Sequence, residues 1–175
     1  MCEENSISYN VYTDKTILAT SLKYNVLYYH KENLKKEENK KTNINIISDM
    51  YEYIKNNEEE KFLKITVCDD NKSIFNSVIR KLKKIENIDV LDVSHMSRKI
   101  IKQGTQDIPI EYYYTEISRK NVDKWYALEY LINEINISKD EVIAIGDNIN
   151  DKKMIENAGM GLVMQGSTPV VTDIA

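Results

Sequence analysis

The sequence holds two cysteines and two histidines in 175 residues. Cys2 and Cys68 share no spacing with His30 or His95 that would build a zinc site, and two cysteines make a poor disulfide framework, so both read as structural. No apolar run approaches the roughly 20 residues that a membrane span needs. The opening MCEENSISYN carries neither the basic start nor the apolar stretch of a signal peptide. The chain therefore reads as cytoplasmic, with no membrane partner. An excess of positive charge is lacking too: 24 Lys and Arg stand against 28 Asp and Glu, for a formal net charge of -4. That excludes a basic surface for a nucleic acid backbone, and a phosphate ligand would need local cradling. Glycine is scarce, yet of the five, Gly146, Gly159, Gly161 and Gly166 fall in one short C-terminal stretch. Backbone freedom is expected there.

An apolar content of 42% is enough for a real core, in one domain or two small ones. Near the start, ISYNVYTD and KTILATS read as two strands joined at a Thr-Asp-Lys turn. The stretch from Ser21 to Lys40 begins with aromatics and ends in charge, which suits a helix fraying into a solvated loop. NINIIS reads as a short strand, with Ser48 capping the helix DMYEYIKNN, and EEEKFLKITVCDD returns to strand. In NKSIFNSVIRKLKKI the residues Ile74, Phe75, Val78, Ile79, Leu82 and Ile85 recur at three- and four-residue steps, the mark of an amphipathic helix. NIDVLDVSH and PIEYYYTEIS supply two further strands. Residues 1–117 thus predict an α/β sandwich of antiparallel strands with helices on one side.

Residues 118–175 change character. VDKWYALEYLINEI predicts an amphipathic helix leading into the strand of SKDEVIAIGD, introduced by a capping-box pattern from Ser138 to Glu141. MIENAG predicts a helix closed by a glycine C-cap, and GLVMQ another strand. Such alternation signals a parallel sheet. Neither an internal repeat nor a low-complexity linker is present.

The chemistry concentrates in VIAIGDNINDKKM, residues 142–154. Unbroken apolarity from Val142 to Ile145 predicts a strand covered on both faces, and open α/β sheets bind ligands beyond the carboxyl ends of their strands. Asp147 stands at such an end, where its carboxylate offers a hard oxygen ligand to Mg²⁺. Asn150 and Asp151 open the next helix, whose free N–H groups favour an anion. The same hexapeptide also reads as a polar turn whose Asp and Asn cap a helix with no ligand. An EF-hand loop is excluded by the missing glycine at its sixth position and the missing distant Glu. Lys124 opens the helix upstream; a lysine near a metal-bound carboxylate is the pairing that phosphoryl transfer uses to neutralise charge on the moving group.

The sequence resembles the Cof-type (IIB) branch of the haloacid dehalogenase-like hydrolases. The likeness rests on EISRKNVDKWYALEYL, similar to E-I-x-P-x-G-V-x-K-G-x-A-L, and on GDNINDKKMIENAGMGLVM, similar to G-D-x-x-N-D-x-x-M-x-x-x-A-G-x-G-V-A-M. Residues 116–171 carry it well. Residues 7–115 follow the family's cap domain only in element order. The resemblance implies a Mg²⁺-dependent phosphatase of small phosphorylated metabolites that works through an aspartyl-phosphate. Carried across, Lys124 would hold the phosphoryl group, Asp147 would ligate Mg²⁺, Asn150 would contact the substrate phosphate, and Asp151 and Gly146 would support the site. It also implies a fold: a cap of the IIB (C2B) type over residues 1–117 and the C-terminal half of a Rossmann-like core over 118–175.

Departures from the pattern are specific. Trp125 replaces the glycine after the lysine, Asn121 replaces an earlier glycine, and VMQGS stands where A-M-x-N-A is usual. The family's nucleophile, the first Asp of D-x-D-x-T, is absent. Asp69 in ITVCDDNKS is the one decoy, since Asn71 cannot protonate a leaving group; its other reading is a turn at a strand end. These residues are therefore expected to be an N-terminally truncated fragment, inactive alone, with an exposed sheet edge. Two rivals stand beside the enzyme: a degenerate or truncated relative acting as a binding module, and a plain α/β domain with a decorative loop.

Overall fold

The computed structural model describes residues 1–91, 96–167 and 169–174. The chain divides into two compact units, Met1–Arg119 and Lys120–Ala175, just beyond the expected boundary at residue 117.

The first unit is built on β1 (Ser8–Thr13), β2 (Ile17–Ala19), α1 (Tyr24–Asn33), β3 (Ile44–Ile46), α2 (Met50–Asn56), β4 (Phe62–Asp69), α3 (Lys72–Leu82), β5 (Ile88–Val90), β6 (Ser97–Gln103) and β7 (Gln106–Arg119). Its sheet runs β3-β2-β1-β4-β7-β5, and β6 pairs with β7 outside that path. All pairings are antiparallel except β2 with β3. The expected hairpin of β1 and β2 forms, with Tyr12 opposite Ile17.

Helices cover both faces of this sheet, which corrects the expectation of one. Alternation along β1 explains why. Val11 joins Leu18 and Met50 of α2, and Ile7 and Val67 join Phe75, Val78 and Leu82 of α3. On the opposite face Ile17 and Ala19 pack against Val26 of α1. Asn10 is buried on β1, and its amide donates to Asn25 Oδ1 of α1 at 3.1 Å and to Thr66 Oγ1 at 3.3 Å. Asn25 donates in turn to the Tyr12 hydroxyl, and the Cys68 thiol donates to Asn25 Oδ1. A strand that alternates apolar and amide side chains thus binds one helix by oil and another by hydrogen bonds. Cys2 and Cys68 are both free thiols, and burial pushes the Cys68 thiol up to about 12.

Local signals account for the helix ends. The cap of α2 is Asp49, whose carboxylate accepts from Glu52 N at 2.9 Å, and not Ser48 as expected. The stripe of α3 begins after Asn71, which accepts from the N–H groups of Ser73 and Ile74. The expected strand PIEYYYTEIS lies within β7, but β6 and its hairpin with β7 have no counterpart in the sequence reading; the hairpin turns on Gly104, at φ 63°, between Gln103 and Gln106. The expected strand NIDVLDVSH appears as β5, and its residues 92–95 lie outside the described residues.

The second unit contains α4 (Lys124–Glu134), β8 (Ile143–Gly146), α5 (Lys152–Asn157), β9 (Met160–Val163) and α6 (Pro169–Thr172). β8 and β9 pair in parallel, as the alternation predicted. The capping box at Ser138 forms, with Glu141 accepting from Ser138 N at 3.0 Å. α4 ends where Asn136 takes φ 56° and Ile137 N donates back to Ile132 O. Gly159 is not the C-cap of α5: that position is Ala158 in extended backbone. A Cβ on Gly159 would lie 2.2 Å from the Asp140 carbonyl oxygen, so close approach and not backbone freedom demands glycine.

The expected cover on both faces of β8 is not present. Ala144 is 3% exposed but Ile143 is 63% and Ile145 56% exposed, and Met160, Leu162 and Met164 are exposed beside them. Only the Ala144 face is packed. No helix among the described residues is long and apolar enough to cross a membrane.

Candidate functional site

The site grows from the end of β8. Gly146 closes the strand, a short 3-10 turn covers Ile149–Asp151, and α5 starts at Lys152. Asn148 Oδ1 accepts from Ile149 N at 2.8 Å and begins the turn. The turn carries Asp151 back beneath Gly146, where the missing side chain leaves room: a Cβ there would lie 2.4 Å from Asp151 Cβ.

Asp151 is the hub. It is 3% exposed, and its Oδ2 accepts from the backbone N–H groups of Asp147 at 3.1 Å and Asn148 at 3.2 Å. Its Oδ1 accepts from Lys124 Nζ at 2.5 Å. Burial by itself would push this carboxyl up, but the Lys124 ammonium and the two N–H groups outweigh it and hold the acid below its ordinary range. Lys124 occupies the first position of α4, half exposed, with its ammonium on Asp151. Lys124 and Asp147 are linked through Asp151, whose carboxylate accepts from the ammonium of the first and from the backbone N–H of the second.

The loop spends its own donors. The N–H groups of Asp147, Asn148 and Ile149 all bond to side chains of the loop, so these three, which precede the helix, are not available to an anion. Asn150 lies in the turn with an exposed side chain.

Asp147 is exposed at the strand end. Among the described residues its carboxylate has no hydrogen bond or ion pair, so it is open to a cation. Among those residues no group of three or more His, Cys, Asp or Glu gathers that could hold a metal. One open carboxylate, with water and phosphate oxygens completing the shell, fits Mg²⁺ and does not fit an ion that requires an all-protein cage. Asp69 does not look poised for chemistry: it is buried at the end of β4, and its Oδ1 accepts from Asn71 N at 2.7 Å, the turn at a strand end that was its other reading.

Two departures from the resembled motif have structural explanations. Asn121 takes φ 62°, so the residue type best suited to left-handed backbone after glycine stands where the pattern has glycine. Trp125 is 9% exposed and turned inward, so its bulk is not directed at solvent. The sequence reading passed over Asp123 and Lys153. Asp123 caps α4 through Oδ1, which accepts from Tyr126 N at 2.9 Å, and its Oδ2 accepts from Lys153 Nζ at 2.7 Å. An acid directly before KWYALEYL is a helix-start signal and could have been read as one.

A strand ending in an open carboxylate, a buried acid that orients the turn, and a lysine bonded to that acid make up the candidate site of this α/β protein. The model of the haloacid dehalogenase-like hydrolases matches residues 1–175, and the chain belongs to that family. It is 38% identical over 60 residues to the phosphatase YwpJ of Bacillus subtilis (strain 168), covering 34% of this chain and 21% of that protein. It is 29% identical over 79 residues to a phosphoglycolate phosphatase of Methanothermobacter thermautotrophicus, covering 43% of this chain and 36% of the relative. Among solved structures, a haloacid dehalogenase-like hydrolase from Bacteroides thetaiotaomicron superposes with a TM-score of 0.69 at 22% identity, over 99% of this chain and 56% of that one. The chain therefore spans well under two thirds of the length of these relatives.

Proposed function

We propose that the protein is a Mg²⁺-dependent phosphatase of small phosphorylated metabolites, of the Cof-type IIB branch, working in the cytoplasm, with residues 1–117 as a substrate-choosing cap and 118–175 as the half of the catalytic core that holds metal and phosphate. The observation that carries this reading is the bonded set Lys124, Asp151 and the Asp147 backbone, beside the open Asp147 carboxylate. The solved IIB sugar phosphatase with which the chain shares its fold, at a TM-score of 0.61, lends it support.

Each residue has a part. Asp147 would hold the ion, and bound there Mg²⁺ would stabilise charge building on the phosphoryl oxygens. Lys124 neutralises a second phosphoryl oxygen, and Asn150 donates to a third. Asp151 keeps Lys124 extended and, through its N–H bonds, fixes the loop that presents Asp147. The nucleophile is an aspartate outside the motifs of this chain. Its carboxylate oxygen bonds phosphorus as the ester P–O bond breaks, and the departing oxygen takes a proton from an acid; water then splits the acyl phosphate into phosphate and the free carboxylate.

The test is phosphate release from a panel of phosphomonoesters by the full natural protein, with Mg²⁺ and with chelator. Turnover that needs Mg²⁺, and falls roughly a hundredfold or more in Asp147→Asn, is expected; retained turnover in that variant rejects the metal role. These 175 residues alone should release none, and turnover by them would make Asp69 or another acid the nucleophile. The bare apolar face of β8 and β9 favours a second reading, a binding module without catalysis. Absence of any metal-dependent turnover in the full protein would choose it.

A further inference from the structure

We infer that the Asp123–Lys153 ion pair is a positioning device for Lys124, locking the start of α4 to the first turn of α5 so that the ammonium keeps one place; the inference rests on the phosphate-holding role proposed for Lys124. The two helix starts are joined reciprocally. The acid at the N-terminal boundary of α4, Asp123, accepts from Lys153 in α5. The acid at the N-terminal boundary of α5, Asp151, accepts from Lys124 in α4. One such bond would leave the helices free to rotate and slide about it. Two bonds in opposite chemical sense, from adjacent residues on one helix to residues two apart on the other, remove that freedom.

Asp123 is suited to this because its two oxygens do different jobs. Oδ1 accepts from Tyr126 N and fixes the first turn of α4, while Oδ2 takes the Lys153 ammonium and fixes that turn to α5. Lys124 is the next residue, so its Cα follows. The lysine stem is long and flexible, and half of this side chain is exposed, so the position of its base decides where the charge can reach. Burial alone would push the Asp123 carboxyl up, but the bonds from Lys153 and Tyr126 N reverse the direction and favour the ionised form. Lys153 is itself about half exposed. An exposed pair adds little to stability, so its effect should show in the placement of Lys124 and hardly in the melting temperature.

The experiment uses the 175-residue chain with three single variants. Asp123→Asn keeps the capping oxygen and loses the charge; Lys153→Met removes the ammonium; Lys153→Arg restores it. Two readouts are taken: the side-chain ammonium NMR signal of Lys124, with its hydrogen-bond coupling to the Asp151 carboxylate, and the affinity for inorganic phosphate in excess Mg²⁺. The protected Lys124 signal should be present in the wild type, broaden beyond detection in Asp123→Asn and Lys153→Met, and return in Lys153→Arg. Phosphate affinity should fall roughly threefold to tenfold in the first two, and the double variant should be no worse than either. An unchanged Lys124 signal in both disrupting variants, no rescue by arginine, or no protected signal in the wild type overturns the inference. Failure of the wild type to bind phosphate counts against the proposed function alone, and the ammonium signal still decides the positioning claim.

Discussion

Gly146 and Asp151 share one small volume: a Cβ on the glycine would fall 2.4 Å from the Cβ and 3.0 Å from Oδ2 of the acid. The glycine is therefore a demand of the acid. Its φ is not in the left-handed region, so removing the side chain opens space and does not relieve the backbone. Gly146→Ala should displace Asp151, break its bonds to the N–H groups of Asp147 and Asn148, and cost about 1–3 kcal/mol of stability by overpacking. Chemical denaturation measures the loss. A neutral result would mean that the turn shifts as a body without strain.

Stability should carry the mark of Asp151 at acid pH. Its folded-state pKa lies below the ordinary value of 3.8, so its contribution is complete above that value and disappears as pH falls through the lower folded one. Asp151→Asn removes the charge at every pH. The gap in melting temperature between wild type and Asp151→Asn should accordingly be constant near neutrality and shrink below about pH 4. A gap that widens as the solution is acidified contradicts the assigned direction.

Removing Lys124 leaves a buried carboxylate short of its charge partner. Lys124→Met should cost about 1–2 kcal/mol, less than for a fully buried pair because water reaches the half-exposed lysine site. Adding Asp151→Asn to Lys124→Met should recover part of the loss, since no unmatched charge then remains. Additive losses in the double variant would show that the two side chains do not act as a pair.

Helix α3 and the turn at 147–151 were legible because each rests on local spacing: a stripe of Phe75, Val78, Ile79 and Leu82 in one case, from which the expected Ile74 and Ile85 drop out as exposed, and acids and amides at fixed offsets in the other. The hairpin of β6 and β7 was not, because Ser97–Gln103 is mostly charged and polar and its pairing depends on distant β7; Gly104 between two glutamines was the signal available. The side of the sheet taken by α1 was hidden for another reason. Asn10 and Tyr12 alternate with Val11, and the cover on their polar face shows only in space, in the bonds of Asn25 to Asn10 and Tyr12 and the packing of Val26 on Ile17 and Ala19. Lys124 and Asp151 could be named from motif spacing, whereas the bond between Asp123 and Lys153 exists only once two helix starts meet in space.

The apolar run from Val142 to Ile145 predicted a strand buried on both sides, yet Ile143 and Ile145 lie bare with Met160, Leu162 and Met164. Parallel register makes these neighbours, with Ile143 opposite Met160 and Ile145 opposite Leu162, so the exposed side chains form one continuous face and not scattered residues. A face of this kind binds hydrophobic dyes and promotes association, while contributing little to the fold of the unit that bears it. Ile145→Thr with Leu162→Thr keeps β-branching or strand preference and removes apolar surface. The double variant should lower dye fluorescence and concentration-dependent self-association of the 175-residue chain, with stability changed by no more than about 1 kcal/mol. A loss of several kcal/mol, with dye binding unchanged, would mean that these side chains are packed against something in solution and that the face is not bare.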